Sequence, residues 1–363
     1  MTEVRIPVAA IKGRGAASSV ANRFCGDARA AFDDGWGTLE WASGAHAPLP
    51  AATTVLPHPV GKAISRNQSP DIHFDYGLNP YRGCEHGCVY CYARPTHSYL
   101  DLSAGLDFET RIFAKTELAD VLGRELRSRS YVPSQIVIGS ATDAYQPAER
   151  QWKITRSVIE LLARCDHPLA IVTKGSGVER DIDLLAPMAR KNLAAVYVTI
   201  TTLDPALARI LEPRAAAPHR RLRTIRALAQ AGIPVGVSVA PQIPFVNEDM
   251  EKVLEAAAEA GATNAFYSVL RLPWELNAVF QQWLELHYPQ RAARVMARIR
   301  EMHGGRDYDA DFSTRMKGSG VWAQLLGQRF KKTCERLGLN RERRSLDLTQ
   351  FRPAALSPQE SLF

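Results

Sequence analysis

Six short apolar runs, each followed by a stretch whose apolar residues recur at helical spacing, set the strongest limit on how this chain folds. The runs are Phe74 to Asn79, Gln135 to Gly139, Pro168 to Thr173, Ala194 to Thr201, Ile233 to Ala240 and Asn264 to Leu270. Leu118, Val121, Leu122 and Leu126 share one helical face, as do Ile154, Val158, Leu161 and Leu162. Asp181 to Lys191 reads as the next helix, strained by Pro187. Leu222, Ile225 and Ala229 mark another, stopped by Gly232, and Met250, Val253, Leu254 and Ala257 one ended by Gly261. Strands this short alternating with helices argue an α/β fold with a parallel sheet clad in helices. Six such units are expected to curl into an open, partial (β/α)6 TIM-type barrel with right-handed crossovers, its ligands at the carboxyl ends of the strands.

After Pro273 the character turns helical: Trp274 to His287, Gln290 to Met302 and Val321 to Gly338. Trp274, Trp283 and Trp322 are expected to cover an open barrel end or seam. The expected organisation is an N-terminal extension over 1–70, wrapping the domain in places and disordered in others, a barrel over 71–275, a helical segment over 276–346 and an extended tail over 347–363.

The first βα loop carries the chemistry. Within Leu78 to Pro95, LNPYRGCEHGCVYCYARP, Cys84, Cys88 and Cys91 stand at C-x3-C-x2-C, with Tyr90 just before the last. Three thiolates this close converge on one metal centre. A [4Fe–4S] cluster takes four thiolates, so a three-cysteine loop leaves one iron with an open position. The competing reading is a Cys3His zinc site completed by His86 or His97, although zinc sites usually pair C-x2-C elements across a longer gap. Cys25, Cys165 and Cys334 are scattered and read as buried thiols.

At 363 residues, 46% of them hydrophobic, the chain can bury a sizeable core. The opening MTEVRIPVAAIKGRG lacks a signal-peptide apolar run and no stretch nears 18 apolar residues, so a soluble cytoplasmic protein without membrane contact is expected. The net charge of +7 is compatible with a polyanionic partner. Basic residues crowd Arg209 to Arg226 and again Arg329 to Arg344, which reads either as DNA contact or as solvated helix faces. Lys12-Gly13-Arg14-Gly15 reads as a flexible turn or a phosphate-contacting loop.

Residues just past the strand ends are the expected lining of the site. Ser140 and Asp143 follow the second strand and can accept from an ammonium group, or cap a turn. Lys174 follows the third and can pair a carboxylate. Thr201 ends the fourth, where its hydroxyl can reach a ribose. Arg214, with Arg220 and Arg221 behind it, is a candidate for a cofactor or substrate phosphate. Asn247 or Asp249 is expected to cap the helix that begins at Met250, and capping is the preferred reading for Asn247.

The cysteine pattern with its preceding aromatic resembles the radical S-adenosylmethionine superfamily. With SATDAYQP, TKGS, TTLD, LEPR and APQIPFVN, it is similar over roughly residues 70 to 275 to the group related to spore photoproduct lyase, whose members are often labelled DNA repair photolyases. The resemblance implies that Cys84, Cys88 and Cys91 hold a [4Fe–4S] cluster and that S-adenosylmethionine chelates the open iron. Reductive cleavage then gives a 5′-deoxyadenosyl radical, with a flavodoxin or ferredoxin as electron donor. It also implies that Tyr90 borders the adenine, that Ser140 and Asp143 lie near the methionine amino group, and that Lys174 lies near its carboxylate. The lyase proper has a cysteine as hydrogen-atom donor just before that serine; here Gly139 stands there. Action on DNA therefore competes with action on a protein or small metabolite, and with a non-catalytic iron–sulfur or zinc protein. The last five residues, Gln359-Glu360-Ser361-Leu362-Phe363, resemble the short motif by which bacterial repair proteins dock on the sliding clamp through the equivalents of Gln359, Leu362 and Phe363.

Overall fold

A computed structural model describes residues 8–24, 52–342 and 345–356. Its strands in chain order are β1 (Thr54–Pro57), β2 (Ser65–Arg66), β3 (Tyr76–Leu78), β4 (Tyr81–Arg82), β5 (Arg111–Ala114), β6 (Ile136–Ile138), β7 (Leu169–Thr173), β8 (Ala194–Thr199), β9 (Val235–Ser238) and β10 (Asn264–Phe266). Seven of them form one sheet in the order β10-β9-β8-β7-β6-β3-β2. The six expected runs are its β3, β6, β7, β8, β9 and β10. They pair in parallel in sequence order, and β2 adds to β3 antiparallel. Fully buried branched residues such as Ile136, Ile171, Val196 and Val237 explain why these runs read as continuous apolar stretches rather than as alternation. A second sheet, β1-β5-β4, flanks the first and had no signal of comparable strength in the sequence.

The helices are α1 (Leu106–Thr110), α2 (Leu118–Leu126), α3 (Glu149–Trp152), α4 (Ile154–Arg164), α5 (Ile182–Arg190), α6 (Pro205–Leu211), α7 (Pro218–Gln230), α8 (Met250–Glu259), α9 (Leu276–His287), α10 (Pro289–Met302) and α11 (Gly320–Leu337). The helix expected from Trp274 starts two residues later, because Trp274 adopts a left-handed φ of 46° and stands 64% exposed. It covers no seam. Trp283 is buried, its indole N–H donating to the Ile210 carbonyl at 3.0 Å.

Two straps close the ends of the sheet. Residues 8–24 run along the flank of the cysteine loop: Ser18 hydroxyl donates to Gln282 at 2.7 Å, Leu106 N–H to Ser18 carbonyl, and Ser103 hydroxyl to Val20 carbonyl. Residues 345–356 lie across the opposite end, where Arg352 N–H donates to Cys165 carbonyl at 2.8 Å and Phe351 packs edge-on to His167. The terminal motif Gln359 to Phe363, Cys25, and Arg343 with Arg344 lie outside the described residues. No helix among those described is long and apolar enough to cross a membrane.

Candidate radical-cofactor site

The cysteine loop leaves β3 at its carboxyl end and is fastened from below. Asn79 accepts from Ala141 N–H at 2.8 Å and donates to Ser140 Oγ at 3.3 Å, which ties the loop to the end of β6. Cys84 N–H donates to Phe108 carbonyl at 2.9 Å, Val89 N–H to Leu211 carbonyl at 3.0 Å and Cys91 N–H to Cys88 carbonyl at 3.2 Å. Arg94 is wholly buried. Its guanidinium donates to the carbonyls of Cys88, Gly87, Ala104 and Gly105 and pairs with the equally buried Glu109. Glu109 also accepts from Gly15 N–H at 3.0 Å and Ala16 N–H at 2.8 Å. A Cβ at Gly15 would meet Gly87 carbonyl at 1.8 Å, so the KGRG segment is held at its end and is no free turn there. Its last glycine lets the strap touch the cysteine loop backbone to backbone.

Cys84 and Cys88 are buried, Cys91 is half-buried, and none is in a disulfide. Burial, then Asp143 and Cys88, hold the Cys84 thiol well above its ordinary range. Burial also pushes Cys88 up to about 12, against the Lys174 ammonium. Thiols so placed ionise when a metal replaces the proton. Among the described residues no three His, Cys, Asp or Glu side chains are gathered tightly enough to hold a single metal ion, whereas a [4Fe–4S] cluster takes its thiolates on separate irons. Each zinc-completing histidine has one ring nitrogen engaged, while His97 Nδ1 is buried without a partner. His86 Nδ1 lies 3.3 Å from Asp143 Oδ2, and His97 Nε2 is 2.9 Å from Arg111 carbonyl. Three soft donors at C-x3-C-x2-C on one loop fit an iron–sulfur cluster with one open iron.

Asp143 sits beside the loop, and its acceptor sites are filled. Oδ1 accepts from Thr173 hydroxyl at 2.7 Å and Tyr145 N–H at 2.8 Å; Oδ2 accepts from Lys174 N–H at 2.7 Å and faces His86. Burial alone would raise this carboxyl, but His86, Lys174 N–H and Thr173 outweigh it and hold it strongly low. Asp143 thus makes the turn expected as its alternative role, crosslinking β6 to β7, and a carboxylate has about four lone-pair sites. Ser140 has its Oγ on Asn79 and its carbonyl on the Tyr92 hydroxyl.

Tyr90 turns its hydroxyl into the core. The hydroxyl is buried against Glu212 and Thr201, 3.0 Å from Thr201 Oγ1, and Glu212 is paired with the buried Arg221. Lys174 Nζ lies 5.5 Å from the centre of the Tyr90 ring. Burial lowers the Lys174 ammonium, but Cys88 and Glu212 more than restore it above its ordinary value. Burial pushes Glu212 up, and Arg221 and Lys174 bring it down to about 2. Thr201 hydroxyl donates to Glu212, so it supports Tyr90 rather than standing open to a ribose.

Several expected roles are corrected by these contacts. Arg221 is spent on Glu212, and Arg220 on Glu179 at 2.7 Å. Asn247 does not cap α8: it accepts from Ile243 N–H and donates to Thr201 and Pro241 carbonyls, clamping the loop after β9, while Asp249 stands at the helix start. In the second basic stretch Arg329 forks onto Glu251 and Arg336 pairs with Glu255, joining α11 to α8. Arg214 remains beside the loop, its N–H on His86 carbonyl and its guanidinium 3.1 Å from Glu85. Arg94, Glu109 and Glu212 carry no local signal in the sequence that they will be buried, because a charged side chain reads as surface until its partners are known.

Comparison with known proteins agrees with this arrangement. The sequence matches the Radical SAM superfamily over residues 78–257. It is 38% identical over 235 residues to an uncharacterized protein of Mycobacterium tuberculosis, an alignment covering 64% of this chain and 68% of that protein. A second relative, an uncharacterized protein of Methanocaldococcus jannaschii, is 26% identical over 215 residues, covering 59% and 77%. In fold the chain resembles spore photoproduct lyase variants, one solved with bound S-adenosylmethionine and dinucleoside spore photoproduct. The likeness has TM-scores of 0.53 and 0.54 at 17% identity, and covers 79% of this chain and 81% of those. Parallel strand order, loop position and family match lead to one conclusion: the chain belongs to the radical SAM superfamily.

Proposed function

We propose that this protein is a cytoplasmic radical enzyme that acts on damaged or modified DNA from a partial (β/α)6 barrel. The observation that carries the proposal is the three-cysteine loop at the carboxyl end of a parallel sheet resembling that of spore photoproduct lyase. When bound, the cluster and S-adenosylmethionine would supply radical chemistry that removes a hydrogen atom from substrate. Cys84, Cys88 and Cys91 would each hold one iron. Lys174, poised between Cys88, Glu212 and the Tyr90 ring, would meet the cofactor carboxylate. Ser140 would meet the amino group, with Asp143 fixing the turn that carries it. A flavodoxin or ferredoxin would donate the electron, and the Gln359, Leu362 and Phe363 motif would dock the sliding clamp.

The chemistry on DNA is not thymine-dimer reversal with a thiol donor at the end of β6. A Cβ at Gly139, whose φ is +90°, would meet Val172 carbonyl at 2.6 Å, so this backbone has no room for a cysteine there. Cys165 is buried at the other end of its βα unit. A second reading, action on a protein or small metabolite, is favoured by the internal pairing of Arg220, Arg221, Arg329 and Arg336. The deciding experiment reconstitutes the protein anaerobically and follows deuterium from a labelled nucleic-acid pool into 5′-deoxyadenosine. Transfer supports DNA; cofactor cleavage without transfer supports the second reading.

A further inference from the structure

A cavity of about 500 Å3 opens on the flank of the cysteine loop, lined by Lys12, Gly13, Arg14, Thr53, Glu85 and Arg214. Arg14 Nη2 and Arg214 Nη1 each donate to the Thr53 hydroxyl oxygen at 3.1 Å, so two guanidinium groups meet on one neutral atom. Those two bonds use that oxygen's lone pairs and leave its proton for another acceptor. Glu85 is the one carboxylate among the described lining residues. Its Oε2 accepts from Ala148 N–H at 2.7 Å and its Oε1 lies 3.1 Å from Arg214. Three cations therefore line the cavity with one acid that is already engaged, and beneath them Glu109 also acts on Arg14 and takes its Nη1 on the carbonyl at 3.1 Å. Burial and then the Arg214 charge pull the Arg14 guanidinium below its ordinary value, as crowding of like charges requires. At Gly13, with φ of +76°, the chain turns so that Arg14 N–H closes on Ile11 carbonyl, leaving Lys12 exposed at the tip.

We infer that this cavity is a phosphate site, taking one phosphate group between Lys12, Arg14, Arg214 and the Thr53 hydroxyl. Planar guanidinium forks and a hydroxyl donor match phosphate oxygens. Resting on the nucleic-acid reading above, the phosphate is a backbone phosphate of the strand presented to the cysteine loop. The site is coupled to that loop, since Arg214 N–H holds His86 carbonyl and the chain after Arg14 clasps Glu109.

Full-length protein, Lys12→Gln and Arg214→Gln would be titrated calorimetrically with inorganic phosphate. The same proteins would be titrated by fluorescence anisotropy with a labelled single-stranded thymidine oligonucleotide, with circular dichroism to check the fold. Lys12 is exposed, so its variant tests the site even if Arg214→Gln unfolds. The expected result is binding of both probes, weakened about tenfold or more by Arg214→Gln and less by Lys12→Gln. The oligonucleotide salt slope should also become shallower by about 0.7. Phosphate binding that is absent, or equal in all three proteins, overturns the site, and oligonucleotide binding that persists then leaves the nucleic-acid reading standing. Phosphate bound and lost in the variants while the oligonucleotide never binds keeps the site as one for free phosphate and removes the nucleic-acid reading.

Discussion

Replacing Glu109 by Gln should cost this protein several degrees of thermal stability and much of its iron. The wild-type carboxylate serves three donors: Arg94 and Ala16 N–H on Oε1 and Gly15 N–H on Oε2. Gln keeps the volume but turns one of those oxygens into an amide donor facing Gly15 N–H, and removes the charge opposite a guanidinium with no solvent exposure. Breaking a buried pair by removing one partner costs about 3–5 kcal/mol. With an unfolding entropy of roughly 2.1 cal/mol/K per residue over a chain of 363 residues, that becomes a fall in Tm of about 4–7 °C. Differential scanning fluorimetry of the metal-free protein would read it. A parallel iron assay after reconstitution should show incomplete loading, because Arg94 holds the Cys88 and Gly87 carbonyls only while its own charge is balanced. The double variant Arg94→Met/Glu109→Leu, which leaves no stranded charge, should be less destabilised than either single change. A shift under about 1 °C in Glu109→Gln, or a double variant worse than the sum of the singles, would refute the reasoning.

Other outcomes follow from the same contacts. Cys84→Ala, Cys88→Ala and Cys91→Ala should each abolish reductive cleavage of S-adenosylmethionine, measured by chromatography, while Cys25→Ala, Cys165→Ala and Cys334→Ala retain it; an essential scattered cysteine would sink the single-cluster assignment. Gly139→Cys should lower Tm without conferring dimer-reversal activity, since the new side chain meets Val172 carbonyl; a stable, active variant would show that the β6 end can accommodate a thiol. Burial puts the His167 imidazole at about 4, below its ordinary 6.5, and the neutral ring lies 2.6 Å from the Tyr131 hydroxyl. Because the folded pKa is the lower one, its contribution is complete above pH 6.5 and is lost as pH falls toward 4. The loss is about 3 kcal/mol, and urea unfolding between those pH values should be less pH-dependent in His167→Gln. Deleting Leu362 and Phe363 should abolish binding to a sliding clamp in fluorescence anisotropy; equal weak binding by full-length and shortened protein would make the tail a simple terminus.

How much could be read beforehand depends on the kind of signal. Most of the parallel strands were legible because they are buried on both faces, so Leu169–Thr173 or Val235–Ser238 appears as a nearly unbroken apolar run, while Asn264–Phe266 is only partly covered. The short edge pieces β1, β2 and β4 carry two to four residues of mixed exposure and have no such imprint. The cysteine triplet was legible from spacing alone. Its supports were not, because Arg94 and Glu212 look like any surface charge until the partners that bury them arrive from elsewhere in the chain. Asn247 misled for a related reason: an Asn three residues before a helix suits a cap, yet Thr201 and Pro241 carbonyls reach it first. Position after a strand end located Ser140, Asp143 and Lys174 near the loop, but could not tell which of their polar atoms the fold itself would consume.

The N-terminal strap bears on the order in which the protein is assembled during synthesis. Gly15 and Ala16 leave the ribosome first but rest on Glu109, and Ser18 rests on Gln282, 264 residues later. At roughly 5–20 residues per second, the interval is on the order of tens of seconds. For most of that interval, once residue 91 is made, the three cysteines are already translated, while the segment that will flank them lacks its final anchor. Iron and sulfide delivery thus has a window before the strap is seated, and a variant that docked early would be expected to mature poorly even with every ligand intact.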